Sequence, residues 1–163
     1  MEWEVKMEKI TIKPHHFMDI IKLYGTGIER FVPDQKRGHD FYRIANLIVQ
    51  NSTLLCQLTV EGDDICKPCL YYRHYQCQDF LVHTSKQRYN QLLDQRIIQL
   101  YQLYDMSYST LSLCEILLEH HEMIEQVWKE EPAELTQKRH DFFVKGAELY
   151  IHQYGIIKSS VNP

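Results

Sequence analysis

Apolar positions near the start of the chain follow two periods, first that of a strand and then that of a helix. The segment "KITIK" (9–13) is short and β-branched, which predicts a strand. A helix is predicted over 14–25, because Pro14 suits the first helical position and Gly25 closes the segment. The apolar stripe of this helix has i, i+3, i+4, i+7 spacing and consists of Phe17, Ile20, Ile21 and Tyr24.

A loop, a second helix and a second strand are predicted next. Three glycines and a proline indicate a loop over 25–38. The segment 39–51 has the periodicity of a helix, with its buried side formed by Phe41, Ile44, Ala45 and Ile48. Residues 52–62 alternate as in a half-buried strand, which makes Cys56 a small core residue. We expect this strand to pair with 9–13 in a minimal sheet.

The second half of the chain has the periodicity of three helices. Thr84 and Ser85 are capping residues for a helix over 84–106, with an apolar face of Tyr89, Leu92, Leu93, Ile97, Leu100 and Leu103. The segment 109–131 repeats the pattern with Leu113, Ile116, Leu117, Ile124 and Trp128, and Cys114 beside them is interpreted as core. The last helix is predicted from a cap at Thr136 to about Gln153, with Gly155 just past its end.

These elements predict a mainly α fold, a single domain of about five helices with a small two-stranded sheet and a Cys-rich loop. Residues 8–83 form the half that carries cysteines and histidines, and 84–155 form the three-helix half. Residues 1–6 and 156–163 are expected to be tails. No internal repeat or low-complexity linker divides the chain.

Composition and charge narrow the classes of function. The net charge of −4 and the pI near 6.1 argue against a protein that follows the phosphates of nucleic acid. The sequence contains no apolar stretch of about 20 residues, so no membrane span is expected. The first residues mix acids and bases without a signal core, which predicts a cytoplasmic location. An odd number of cysteines, five, then favours a metal or reactive site over a disulfide framework.

Three of those cysteines are concentrated in "GDDICKPCLYYRHYQC" (62–77). Cys66 and Cys69 form a C-x-x-C pair, and Cys77 follows after seven further residues. Two cysteines at this spacing in a turn can direct both sulfurs to one centre, and a third can close toward it. Thiolates are preferred ligands of zinc and of iron–sulfur clusters. The other two cysteines have no convincing spacing, so the fourth ligand is predicted to be another residue type or water.

A dithiol redox motif and incidental packing are the alternatives to a metal site in this segment. "CKPC" has the form of a dithiol redox motif, although that motif requires a βαβ context, and this sequence offers only two weak strands. The three thiols can also be incidental to packing, which is difficult to reconcile with a short polar segment. A metal or cluster site is the favoured hypothesis.

Two segments together resemble a family. "IKPHHFMDIIKLYGTG" and "VEGDDICKPCLYYRHYQC" are similar to the two signatures of a small bacterial and archaeal domain family of unknown function. Its members carry an Arg-Pro-His-His-Leu-Leu-Cys segment, a Gly-rich loop and a later "DDIC…C…C" segment, and they are often described as iron–sulfur binding. The similarity covers roughly residues 10–80.

The resemblance implies that Cys66, Cys69 and Cys77 are ligands of an iron–sulfur cluster, for example a 4Fe–4S cluster, with zinc as the alternative. The family's cysteine in the first segment would be a fourth ligand, but this chain has Asp19 at that position. It also has Lys13 where the family has arginine. A carboxylate completes a cluster more weakly than a thiolate and equally suits zinc or an exchangeable iron.

The predicted first helix supplies further candidate ligands. His15 and Asp19 are i, i+4 neighbours on the face away from the apolar stripe, so both can address one centre. His16 lies at the edge of the stripe, and His74 within the cysteine segment is a further candidate. Asp63 and Asp64 are expected to shape the turn into the loop through bonds to backbone N–H groups.

Three functions follow from such a site. The first is an iron–sulfur protein with a redox or regulatory role. The second is a structural zinc module whose helical half binds an unknown protein partner. The third is a metal-dependent enzyme that uses an open coordination position as a Lewis acid.

Overall fold

The structure is a computed structural model that describes residues 9–74, 76–79 and 85–161. Its strands are short and are β1 (Lys9–Ile12), β2 (Leu55–Leu58), β3 (Tyr72–Arg73), β4 (Gln76–Cys77) and β5 (Ser107–Ser109). Its helices are α1 (Pro14–Gly25), α2 (Phe41–Gln50), α3 (Lys86–Leu100), α4 (Thr110–Glu119), α5 (Ile124–Val127) and α6 (Ala133–Val161). The protein is mainly α, as the sequence predicts.

The small sheet has one strand more than predicted. β1 and β2 pair in parallel, and β2 also pairs antiparallel with β5, so that β2 is the central strand. Cys56 of β2 is fully buried, which confirms its interpretation as core. β5 was missed because three residues with one buried side chain, Tyr108, are too few to show a period. A separate hairpin of β3 and β4 carries Cys77.

Helix α1 is the element around which the fold is built. It packs against both α3 and α6, with α6 as its main partner. Its predicted stripe is buried at Phe17, Ile20 and Ile21. The approach to α6 is close, because a Cβ at Gly25 would collide with the carbonyl of Phe142, and one at Gly146 with the carbonyl of Ile21. The two glycines therefore let the two backbones touch.

The predicted helix over 109–131 is interrupted. α4 ends at Glu119, His120 leaves helical geometry, and a 3-10 turn over His121–Met123 leads into α5. The prediction of one helix was wrong because Ile124 and Trp128 are buried in phase with the apolar face of α4. No glycine or proline marks the break.

The last helix is longer than predicted at both ends. It begins at Ala133, because Pro132 accepts the first helical N–H bonds, from Leu135 and Thr136. It continues through Gly155 to Val161, so the expected end near Gln153 and the expected tail at 156–163 are wrong as far as Val161. A single glycine costs a helix only about 1 kcal/mol, which the rest of the helix absorbs.

Helix α3 begins at the predicted cap. The Ser85 hydroxyl accepts the N–H of Arg88 at 3.1 Å, whereas Thr84 lies outside the described residues. Leu93 and Ile97 are buried as expected, but Leu92 is 39% exposed. The expected tail at 1–6 also lies outside the described residues. Among the helices that the structure describes, none is long and apolar enough to cross a membrane.

The glycine contact between α1 and α6 gives a direct test. Gly146→Ala should lower the free energy of unfolding by at least about 2 kcal/mol, because the added methyl must push two backbones apart. Urea denaturation measures this change.

Gly155→Ala is the matched control in the same helix. Its Cβ would meet only the Ile151 side chain, at 3.6 Å, which is ordinary contact. We expect unchanged stability or a gain of up to about 1 kcal/mol from helix propensity. Equal effects of the two substitutions would contradict the close approach.

Candidate metal centre

A buried carboxylate organises the start of the cysteine segment. Asp63 is fully buried, and its Oδ1 accepts the backbone N–H groups of Ile65 and Cys66 at 3.2 and 3.1 Å. This closes the turn that the sequence predicts. Its Oδ2 accepts the backbone N–H of Lys13 at 2.8 Å. Asp63 thus ties the cysteine turn to the junction between β1 and α1.

The same carboxylate fixes His16. Asp63 Oδ2 lies 2.7 Å from Nδ1 of His16, the first-turn histidine of α1. An ionised carboxylate only accepts, so His16 Nδ1 carries a proton, and Nε2 is the ring nitrogen that can offer a lone pair to a metal when the ring is neutral. A carboxylate that holds one ring nitrogen while the other faces a metal is a common arrangement around ligating histidines.

His16 and the three cysteines line one cavity. Cys66, Cys69 and Cys77 all border it, and its volume is about 180 Å³. That is far more than the roughly 15 Å³ that one water needs. Each of the three thiols is half-buried rather than sealed in the core. The fold therefore brings together the three cysteines and His16, all of which the sequence singled out, and adds a second histidine, His39.

The candidate ligand atoms are not evenly spaced: one group of three is compact, and the three cysteine sulfurs are more widely separated. The ligand atoms of His16, Asp63 and Cys66 lie within 4.8 Å of one another, and the described residues contain no other such group of three. The three cysteines therefore do not form one equally tight group. Around a single tetrahedral zinc, two sulfurs lie only about 3.8 Å apart.

A buried lysine lies beside this site. Lys13 is 1% exposed at the N-cap of α1. Burial alone would lower the pKa of Lys13, but Cys66, Asp63 and Asp94 together raise it, so the ammonium remains charged. Burial alone would also raise the pKa of Asp63, but His16 and Lys13 hold it well below its usual range.

The cysteine nearest to this charge cluster is a neutral thiol. Burial, followed by the negative charge of Asp63, raises the pKa of Cys66 to about 12, although Lys13 opposes the shift. A metal must therefore displace a proton from Cys66 when it binds. Lys13 then supplies a positive charge next to the resulting thiolate.

The mouth of the cavity carries further cations. Arg37 and Lys86 both border it, and their side chains lie 3.4 and 3.7 Å from Asp79. The guanidinium of Arg37 also lies over the ring of Tyr71, 5.7 Å from its centroid. A negatively charged centre inside the cavity would be stabilised by these groups.

The structure does not bring Asp19 to the cysteines. Its Oδ1 lies 2.7 Å from Arg139 of α6 and 3.6 Å from Lys22, and Asp19 is absent from the described lining of the cavity. Asp19 does lie away from the apolar stripe as predicted, but that side of α1 faces α6. The helical spacing correctly placed Asp19 away from the apolar stripe. It could not predict that α6 packs against that side of α1.

His15 points to another element. It is buried, and both its backbone N–H and its Nδ1 bond to Oδ1 of Asp94 on α3, at 2.8 and 2.9 Å. Burial alone would lower the pKa of His15, but Asp94 raises it above the ordinary value. His15 was expected on a polar face; it is buried because α3 covers that side of α1. It is a structural partner of Asp94.

The remaining sequence candidates lie away from the cavity. Cys56 and Cys114 are buried in the core, and His74 is an exposed residue with a φ of 53° in the turn between β3 and β4. Sequence reasoning missed the contact of Asp63 with His16 and the burial of Lys13. The two aspartates before the first cysteine predicted a turn. The sequence did not show which of the two would be buried, because both are the same residue type.

The chain was compared with known proteins. No family model, curated protein or solved structure matches it.

Asp63 and its neighbour Asp64 offer a matched pair of substitutions. Asp63→Asn should lower the free energy of unfolding by about 3 kcal/mol or more, because buried charged hydrogen bonds and the pairing with Lys13 are lost. Asp64→Asn should cost about 1 kcal/mol, since this half-exposed side chain accepts one backbone bond, from Thr11. Urea unfolding in the presence of chelator measures both, and equal losses would contradict the central position of Asp63.

Proposed function

We propose that the protein binds an iron–sulfur cluster in this cavity and uses it in a redox or regulatory role. The observation that carries the proposal is that one cavity is lined by Cys66, Cys69, Cys77 and His16. Three thiolates are typical ligands of such clusters, and histidine replaces cysteine in some of them. When bound, the cluster would supply one-electron chemistry.

The spacing of the cysteines supports a cluster over a single ion. Ligands on different irons of a cluster lie farther apart than ligands on one ion, because their bonds radiate from separate metals. The three sulfurs are spread more widely than the group of His16, Asp63 and Cys66. At least one pair of the three sulfurs is therefore more than 4.8 Å apart, which supports several metal atoms over one compact ion.

An orphaned donor lies beside Cys77, on the lining of a second cavity that Cys77 also borders. Gln87 accepts the backbone N–H of Cys77 at 2.8 Å through Oε1. Its Nε2 is buried without a hydrogen-bond partner among the described residues. Such a donor is costly to leave unpaired, and cluster sulfurs accept N–H hydrogen bonds. Arg37 and Lys86 add positive charge to the lining of the cysteine cavity, and Lys13 adds it beside Cys66.

A structural zinc site is the second candidate. The close group of His16, Asp63 and Cys66 favours it, because ligand atoms within 4.8 Å suit one small ion. In that arrangement His16 would bind through Nε2 while Asp63 keeps its contact with Nδ1, or Asp63 would itself serve as a ligand. The resemblance to the family described as iron–sulfur binding supports the cluster instead.

Anaerobic purification distinguishes the two candidates. We expect a brown protein that contains iron and acid-labile sulfide. A colourless protein with one zinc would reject the cluster and support the zinc module. If Cys66→Ala, Cys69→Ala and Cys77→Ala all kept the wild-type metal content and stability, the site itself would be wrong.

The fourth ligand is tested by a second pair of substitutions. His16→Ala should reduce the bound metal by about tenfold or more, because a direct ligand is lost. Asp19→Ala should leave the metal content unchanged, since its carboxylate pairs with Arg139. Metal analysis of both proteins, with folding verified by circular dichroism, distinguishes His16, which lines the cavity, from Asp19, which the family resemblance suggests. Loss of metal in Asp19→Ala but not in His16→Ala would identify Asp19 as the fourth ligand.

A further inference from the structure

Two histidines on different elements meet on the side of α6. His121 is in the 3-10 turn after α4, and His140 is in the second turn of α6. His121 Nδ1 lies 2.7 Å from His140 Nε2, and the ring centroids are 4.9 Å apart. Neither residue lines the cysteine cavity. The break in the predicted helix at His120 is what turns His121 toward α6.

The state of His140 is fixed by a carboxylate. Its Nδ1 lies 3.0 Å from Oδ1 of Asp141, which also accepts the side-chain amide of Gln137 at 2.8 Å. These hydrogen bonds, that of His140 foremost, lower the pKa of Asp141 below its ordinary value. An ionised carboxylate accepts a hydrogen bond from Nδ1–H, so the neutral ring of His140 presents the Nε2 lone pair to His121. The arrangement again matches a histidine oriented for metal binding by a carboxylate.

The separation of the two nitrogens suits two ligands of one ion. At metal–nitrogen bonds of about 2.0–2.1 Å, neighbouring imidazole nitrogens lie about 2.9–3.4 Å apart. Opening the present contact by a few tenths of an ångström is within the reach of two half-exposed rings. Without a metal, the contact needs the proton of His121 on Nδ1. Metal binding moves that proton to Nε2 of the same ring through water, so His121 remains neutral.

We propose that His121 and His140 form a second metal site, separate from the cysteine cavity, for a divalent transition ion of the zinc or nickel class. Neutral imidazoles are the preferred protein ligands of such ions, and the half-exposed position leaves room for water to complete the coordination. The ion would cross-link the turn after α4 to α6. Asp141 acts as a positioning residue that orients His140.

Zinc titration of the full chain, with any affinity tag removed and any bound cluster or metal first stripped by chelator so that both sites are empty, tests the site. Isothermal titration calorimetry of the wild type should show two binding events, a tighter one at the cysteines and a weaker one at the histidine pair. His140→Ala and His121→Ala should each abolish only the weaker event. His16→Ala should weaken only the tighter event, so failure of the cysteine site and failure of the histidine site give different results.

His152→Ala is the matched control, because His152 is an exposed histidine of the same helix. It should keep both events and the rise in melting temperature that excess zinc produces in the wild type. Asp141→Asn should weaken the second event by up to about tenfold without removing it. If no zinc-binding event of the wild type is lost in His140→Ala and His121→Ala, the proposal is overturned, and the contact is a hydrogen bond in which the two rings share one proton.

Discussion

The buried carboxylate of Asp63 is the constraint on which the candidate metal centre depends. It joins three parts of the chain that are distant or differently structured: the end of β1, the first turn of α1 and the turn that carries Cys66. A buried anion of this kind is tolerated only when several donors satisfy it. The same bonds that satisfy it also set the direction of His16, so the stability of the turn and the geometry of the ligand have one origin.

Charge balance explains why a lysine lies in the interior beside it. Lys13 is almost fully buried, yet Asp63 and Asp94 lie close enough to keep it charged. In an uncharged pocket, a buried ammonium would lose its proton. This positive charge is in place before any thiol is deprotonated, so it favours the thiolate form of Cys66.

Much of the fold could be predicted from the sequence, because it depends on periodic apolar residues. The helix over 14–25 and the burial of Cys56 follow from spacing alone. The break at His120 could not be predicted, since the apolar phase continues through it. For the site, the spacing of the cysteines identified three lining residues. The fourth could not be chosen from α1 alone, because each face of that helix meets a different neighbour, and only the packing decides which side chain reaches the cysteines.

The contact of Gly25 with Gly146 has a consequence for the timing of assembly. It joins an early helix to one that is far later in the chain. During synthesis, both histidines and all three cysteines of the cavity emerge before α6 exists. A centre loaded on the nascent chain would be held by a helix whose main packing partner is still missing, so metal and α6 would stabilise α1 one after the other.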